Sequence, residues 1–227
     1  MRLGGLQKCS LIDYPKKVSA IVFTVGCNFR CPYCHNPELV DETADEISEE
    51  AFFSFLMNRR GKLDAVTVTG GEPTVHDDLL SFLEKIKQLG FLVKLDSNGT
   101  HSDMLRGAID AKLVDYIAMD IKAPLRMYEG TVARPVDIEE IKKSIALLKE
   151  GQVAYEFRTT VIKSLLSIED FHEIGTAIAG ADRYYLQKFV PTKLLNPAFI
   201  KKTTYSDEEF REIKSIMDSY VTTCNIR

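Results

Sequence analysis

Apolar residues along this chain follow two alternating rhythms. Short β-branched runs such as VSAIVFT (18–24) read as strands, while stretches such as SEEAFFSFLMNRR (48–60) space their apolar positions at helical intervals. The alternation recurs. Further strands are predicted at AVTVT (65–69), FLVKLD (91–96), LVDYIAMDI (113–121), VAYEFRTTV (153–161) and RYYLQKF (183–189). Helices are predicted at 77–89, 102–112, 137–149, 168–179 and 206–217, the last opened by Ser206 with Glu209 three positions on. Asp137 with Glu140 has the same capping-box form, and Gly61, Gly90 and Gly151 stand where helices should stop. Six strands, each followed by a helix, imply an α/β fold with a mostly parallel sheet and right-handed crossovers. Functional residues are then expected at the C-terminal ends of the strands.

The unusual residues gather at those ends. Cys27, Cys31 and Cys34 follow the first strand, Gly70, Gly71 and Glu72 the second; Asp96 and Ser97 close the third, Asp120 and Lys122 the fourth, and Arg158 lies late in the fifth. With 227 residues, and no linker rich in Pro, Gly or Ser, the chain is expected to form one domain over 1–227. The irregular APLRMYEGTVARPV (123–136) is the candidate for a mobile loop.

A net charge of -4 gives no general attraction to phosphate backbones, so no nucleic-acid partner is expected. No stretch approaches the roughly 20 apolar residues that span a bilayer, and the N-terminus has no apolar signal core, so a cytoplasmic protein without a membrane partner is expected. Five cysteines, three of them clustered, suit a metal site better than a disulfide framework. Cys9 and Cys224 stand apart and read as incidental or buried thiols.

The spacing C-x3-C-x2-C can hold three corners of a four-iron, four-sulfide cubane, which takes four thiolates when fully protein-bound, so one iron would stay open. The competing reading is a structural zinc completed by His35. Adjacent Cys34 and His35 are awkward ligands for one ion, and no second ligand pair follows.

Taken together, CNFRCPYC (27–34) and TGGEP (69–73) resemble the two signatures of radical S-adenosylmethionine enzymes. GLQKCSLIDYP, CPYCHNPEL, DSNG (96–99) and MDIK (119–122) extend the likeness over nearly the whole chain, which resembles glycyl-radical activating enzymes, above all the activators of anaerobic ribonucleoside-triphosphate reductase. That resemblance implies a partial (β/α)6 barrel, a 4Fe-4S cluster on Cys27, Cys31 and Cys34, and S-adenosyl-L-methionine chelating the open iron. It also implies reductive cleavage to a 5′-deoxyadenosyl radical and removal of a glycine Cα hydrogen from a partner glycyl-radical enzyme.

By the same resemblance, the Gly70–Gly71–Glu72 edge holds the methionine amino group and Tyr33 lies beside adenine. Asn36 and His35 order the cluster loop, and Lys122 and Arg158 face the carboxylate or ribose. Asp96 and Asp120, two acids on neighbouring strands, are unfavourable together unless something cationic intervenes. The resemblance supplies a monovalent cation held by Asp96, Ser97, Asp120 and the carbonyl of Ala118. One departure stands out: the pyruvate formate-lyase activating enzyme has a ligand-contacting histidine in its final barrel strand, where this chain reads YYLQKFVP, so Gln187 or Lys188 is the substitute. No further cysteine cluster is present, which makes a flavodoxin or ferredoxin the expected electron donor. Two other readings fit the motifs: a compact radical enzyme acting on a small molecule, as 7-carboxy-7-deazaguanine synthase does, and a non-catalytic cluster or zinc module.

Overall fold

The computed structural model describes all 227 residues. Its sheet has eight strands, not six: β1 Leu3–Ser10, β2 Ser19–Thr24, β3 Ala65–Gly70, β4 Leu92–Ser97, β5 Tyr116–Asp120, β6 Ala154–Val161, β7 Arg183–Lys188 and β8 Thr223–Ile226. They lie side by side in chain order, β2 through β8 parallel and β1 antiparallel to β2. The six predicted strands are β2 to β7, and each edge gains one more. β1 escapes a pattern reading because LGGLQKCS carries two glycines and few β-branched residues, and irregularities interrupt its pairing with β2. β8 is only four residues long. Since β1 and β8 do not pair, the sheet is a partial barrel with an open side.

The helices are α1 Pro37–Val40, α2 Glu49–Met57, α3 Leu79–Gln88, α4 Ser102–Asp110, α5 Tyr128–Val132, α6 Ile138–Lys149, α7 Asp170–Ala177 and α8 Asp207–Met217. Ser206 and Glu209 form the expected reciprocal capping box of α8. At α6 only half of that motif forms. Asp137 accepts from the Glu139 N–H, but the Glu140 carboxylate reaches Ser102 at the start of α4, accepting from its N–H at 3.1 Å and its hydroxyl at 2.7 Å. No helix is long and apolar enough to cross a membrane.

Parallel partners in register share a face, so one face can be read across the sheet. Val22, Val68, Leu95, Ile117 and Tyr155 form such a row, as do Met119, Phe157 and Tyr184. These residues pack under Phe52, Phe82, Leu105, Ile145, Phe171 and Phe210 of the helices in the main core cluster. Fully buried side chains of this kind contribute roughly 1.5–3 kcal/mol each. The opposite face turns into the barrel and is polar: Thr67, Lys94 and Tyr116 share one layer, Asp96 and Glu156 the next, Asp120 and Arg158 the third. Below the rim, fully buried Glu156 accepts from the Tyr116 hydroxyl at 2.7 Å and is paired with Arg227.

The segment 123–136, expected to be a mobile loop, is packed into the body. Tyr128 and Val132 of α5 are fully buried. The Val132 carbonyl accepts from the Arg30 N–H of the cysteine loop at 2.9 Å, and the Tyr128 hydroxyl accepts from the Lys122 N–H at 3.1 Å. Its prolines and glycine concealed an inward-facing apolar stripe.

Candidate active site

All thirteen candidate residues meet in one cavity at the C-terminal rim. Cys27, Cys31, Tyr33, Cys34 and Asn36 form one wall, and Gly70, Gly71, Glu72, Asp96, Ser97, Asp120, Lys122 and Arg158 complete it. Phe29, Thr69 and Asn98 also line it, each lying inside a motif without having been singled out.

The cysteine loop is shaped by distant backbone. Gly26 donates its N–H to Leu39 at 2.8 Å, Arg30 to Val132 at 2.9 Å, and the Cys34 carbonyl accepts from Leu195 at 2.9 Å. Gly70 and Gly71 fix its position on β3. Gly70 has φ +119°, and a Cβ on Gly71 would lie 1.9 Å from the Gly26 carbonyl oxygen. The close approach that demands glycine here is therefore to the protein's own cysteine loop.

Glu72, 1% exposed, commits its carboxylate to the same task. Oε1 accepts from the Thr74 N–H and hydroxyl and from the Ser97 hydroxyl, while Oε2 accepts from the Asn98 N–H at 2.6 Å. Burial raises its pKa against those hydrogen bonds. It ties the β3 loop to the β4 loop.

Burial pushes the Cys27 thiol up to about 12 and raises Cys31 and Cys34 as well. Such thiols need a bound metal to be thiolates at neutral pH. No group of three or more His, Cys, Asp and Glu side chains is arranged around a single ion. His35 lines the cavity but turns its Nδ1 to the Thr192 hydroxyl at 3.1 Å, its ring 6.1 Å from that of Phe189. A Cys3His zinc is therefore not what this loop is built for. A cubane takes one thiolate per iron, so its ligands need not converge on a point, and three cavity-lining thiols fit it.

Opposite the cysteines lies an ionic ladder. Arg158 bridges the two acids, with Nε 2.5 Å from Asp120 Oδ1 and Nη2 3.1 Å from Asp96 Oδ2. Lys122 Nζ lies 2.9 Å from Asp120 Oδ2, and Lys94 closes on Asp96 Oδ1. Burial would raise both carboxyls, but Arg158 with Lys122 holds Asp120 far below the usual range, and Arg158 with Lys94 lowers Asp96. Burial likewise opposes the Lys122 charge, and Asp120 outweighs it to raise that ammonium well above its ordinary value. Lys94 carried no motif; its only signal was a charge inside the apolar run FLVKLD.

Of the two substitutes for the missing histidine, Gln187 shares the face of Arg158, being in register with Thr160. Lys188 is turned outward, 2.5 Å from Asp207 at the start of α8. Cys9 is exposed and Cys224 buried, both apart from the loop.

Residues 21–174 match the Radical SAM superfamily. The chain belongs to that family. A Methanocaldococcus jannaschii protein assigned as a glycyl-radical enzyme activating enzyme is 36% identical over 99% of this chain and 95% of its own. This radical SAM chain thereby belongs with the activating enzymes. The 7-carboxy-7-deazaguanine synthase of Aquifex aeolicus is 33% identical, over 36% of each chain. In fold, Streptococcus suis SuiB superimposes with a TM-score of 0.67 at 15% identity, over 91% of this radical SAM chain and 48% of SuiB.

Proposed function

We propose that this protein activates a glycyl-radical enzyme, anaerobic ribonucleoside-triphosphate reductase being the partner the sequence resembles most. The observation that carries the reading is one cavity with three thiols on one wall and the cationic pair Lys122 and Arg158 on another. That is a match for an amino-acid ligand delivered to a cluster. The whole-length similarity to an activating enzyme supports it, whereas the deazaguanine-synthase likeness spans only about a third of the chain.

Cys27, Cys31 and Cys34 would hold a 4Fe-4S cluster. When bound, it supplies the electron that splits S-adenosyl-L-methionine into methionine and a 5′-deoxyadenosyl radical able to take a glycine Cα hydrogen. Lys122 and Arg158 supply positive charge for the ligand carboxylate, Arg158 with a planar fork suited to two oxygens. Gly70 and Gly71 keep the cysteine loop close enough to β3 for both to share one ligand. Tyr33 lies beside the adenine, and Gln187 takes the role of the missing histidine toward the ribose.

The cysteines outside the loop stand apart, so the electron comes from a separate donor, a flavodoxin or ferredoxin. The glycine-bearing loop of the partner enters through the open side of the barrel. A monovalent cation beside the ligand carboxylate would be held by Asp96, Ser97, Asp120 and the carbonyl of Ala118, taking the place of the cationic side chains that face the two acids.

The test is isotope transfer. Anaerobically reconstituted and reduced protein, given S-adenosylmethionine and a glycyl-radical partner deuterated at glycine Cα, should form 5′-deoxyadenosine carrying deuterium. Cys31→Ala should form none. An assembled cluster yielding no 5′-deoxyadenosine with partner present would overturn the reading.

A further inference from the structure

Basic residues gather at both ends of the barrel, but one group of them covers the cysteines. The stretch 188–202, which begins at the end of β7, holds Lys188, Lys193, Lys201 and Lys202 and no Asp or Glu, in a chain whose net charge is -4. Lys188 is paired with Asp207 at 2.5 Å and Lys193 with Glu38 at 2.7 Å. Lys201 and Lys202 are exposed and make no ion pair. The same stretch exposes two large apolar side chains, Val190 at 60% and Ile200 at 46%.

This stretch is also the outer cover of the cysteine loop. Leu195 donates its N–H to the Cys34 carbonyl at 2.9 Å, and Asn196 donates to the Pro32 carbonyl at 2.9 Å. The Thr192 hydroxyl meets His35 Nδ1 at 3.1 Å. On the inner side the cysteines line the cavity, which the ligand and the partner's glycine loop fill in the reading above. An electron for the cluster therefore arrives from the outer side. A route through this stretch crosses a single hydrogen bond to reach a cysteine of the loop.

The other basic runs lie at the wrong end. Lys16 and Lys17 sit between β1 and β2, and Arg59, Arg60 and Lys62 precede β3, so both runs are at the N-terminal ends of the parallel strands, opposite the cysteines. Leu11 and Ile12, also exposed, belong to the same β1–β2 hairpin.

An acidic protein approaching a chain of net negative charge is repelled by most of its surface and steered to a patch free of acids. Unpaired lysines beside exposed apolar side chains suit an acidic carrier whose redox group presents an apolar edge, as a flavin ring does. We propose that residues 188–202 are the docking face for an acidic flavodoxin, which passes one electron to the cluster from the Cys34 side of the loop. The anionic flavin hydroquinone loses a single electron and becomes the neutral semiquinone, the oxidised cluster gains it, and no proton moves. The proposal rests on the activating-enzyme reading and gives its electron donor a place to bind.

The experiment titrates oxidised flavodoxin by calorimetry into the anaerobic, cluster-loaded protein at low and moderate salt. Wild-type affinity should fall as salt rises, because contacts between exposed charges are screened. Lys201→Glu combined with Lys202→Glu should bind about tenfold or more weakly at low salt, equivalent to about 1.4 kcal/mol, and lose most of the salt dependence. Val190→Ser should weaken binding about threefold at either salt, since it removes apolar contact and no charge. Formation of 5′-deoxyadenosine with the glycyl-radical partner present is the second readout. At limiting reduced flavodoxin the double variant should be about tenfold slower, whereas with photoreduced 5-deazariboflavin, a small uncharged reductant, it should match wild type within about twofold. Wild-type protein that does not bind flavodoxin, a double variant that binds it as tightly as wild type, or an equal loss of rate with both reductants would overturn the proposal. So would a ferredoxin that binds more tightly than flavodoxin and loses that affinity in the double variant. The absence of 5′-deoxyadenosine with either reductant would defeat the activating-enzyme reading, and the calorimetry would still decide the docking face.

Discussion

Phe157 and Arg158 are neighbours on β6 and belong to different chemistries. Phe157 is fully buried in the layer between sheet and helices, its ring centroid 5.3 Å from that of Tyr155, while Arg158 points into the barrel between two acids. Because strand side chains alternate, one sheet serves both purposes. Its outer face supplies cohesion from apolar area, and its inner face spends stability on charges that must be exactly paired. The difference teaches that a mutation's consequence depends here on the parity of its position as much as on its distance from the cysteines.

That contrast can be broken most severely at Arg158. Arg158→Met strips one partner from each acid, and removing one member of a buried pair costs about 3–5 kcal/mol. It should also abolish measurable S-adenosylmethionine binding, read by calorimetry. Unchanged affinity would show that the ladder is only structural.

Phe157→Ala tests the other face. Cavity formation should cost about 3–5 kcal/mol in denaturant unfolding, while the folded fraction keeps its ligand affinity. A joint loss of both would mean that the faces are mechanically coupled and the contrast is false.

The smallest effect concerns pH. Asp96 and Asp120 have folded pKa values below their ordinary ones, so their contribution to stability is fully present above the unfolded carboxylate range and is lost as pH falls through the folded values. Unfolding midpoints should therefore be insensitive to these acids near neutral pH and fall only under strong acid. Arg158→Met should move that loss toward milder acid. An identical acid profile for variant and wild type would remove the ladder's electrostatic role.

The outer face was the legible one. Apolar rhythm located β2 to β7 and the longer helices, because burial against helices demands that rhythm. β1 remained hidden by its glycines and β8 by its shortness. The rim was legible where a motif fixes several residues at once, as in CNFRCPYC and TGGEP. Lys94 was not, since only strand register shows that its stem runs inward to Asp96. Glu140 was misassigned for a related reason: a capping box is a local pattern, and Ser102 competes for that carboxylate from 38 residues away.

The cysteine loop is held by Leu195, 161 positions after its partner Cys34, and by Val132, 102 positions after its partner Arg30. A nascent chain that has emitted only the cysteines has no template for their arrangement. Loop closure over such separations is slow, and the last clamp depends on the segment beyond β7. The last of those clamps therefore forms only after β7 has been made.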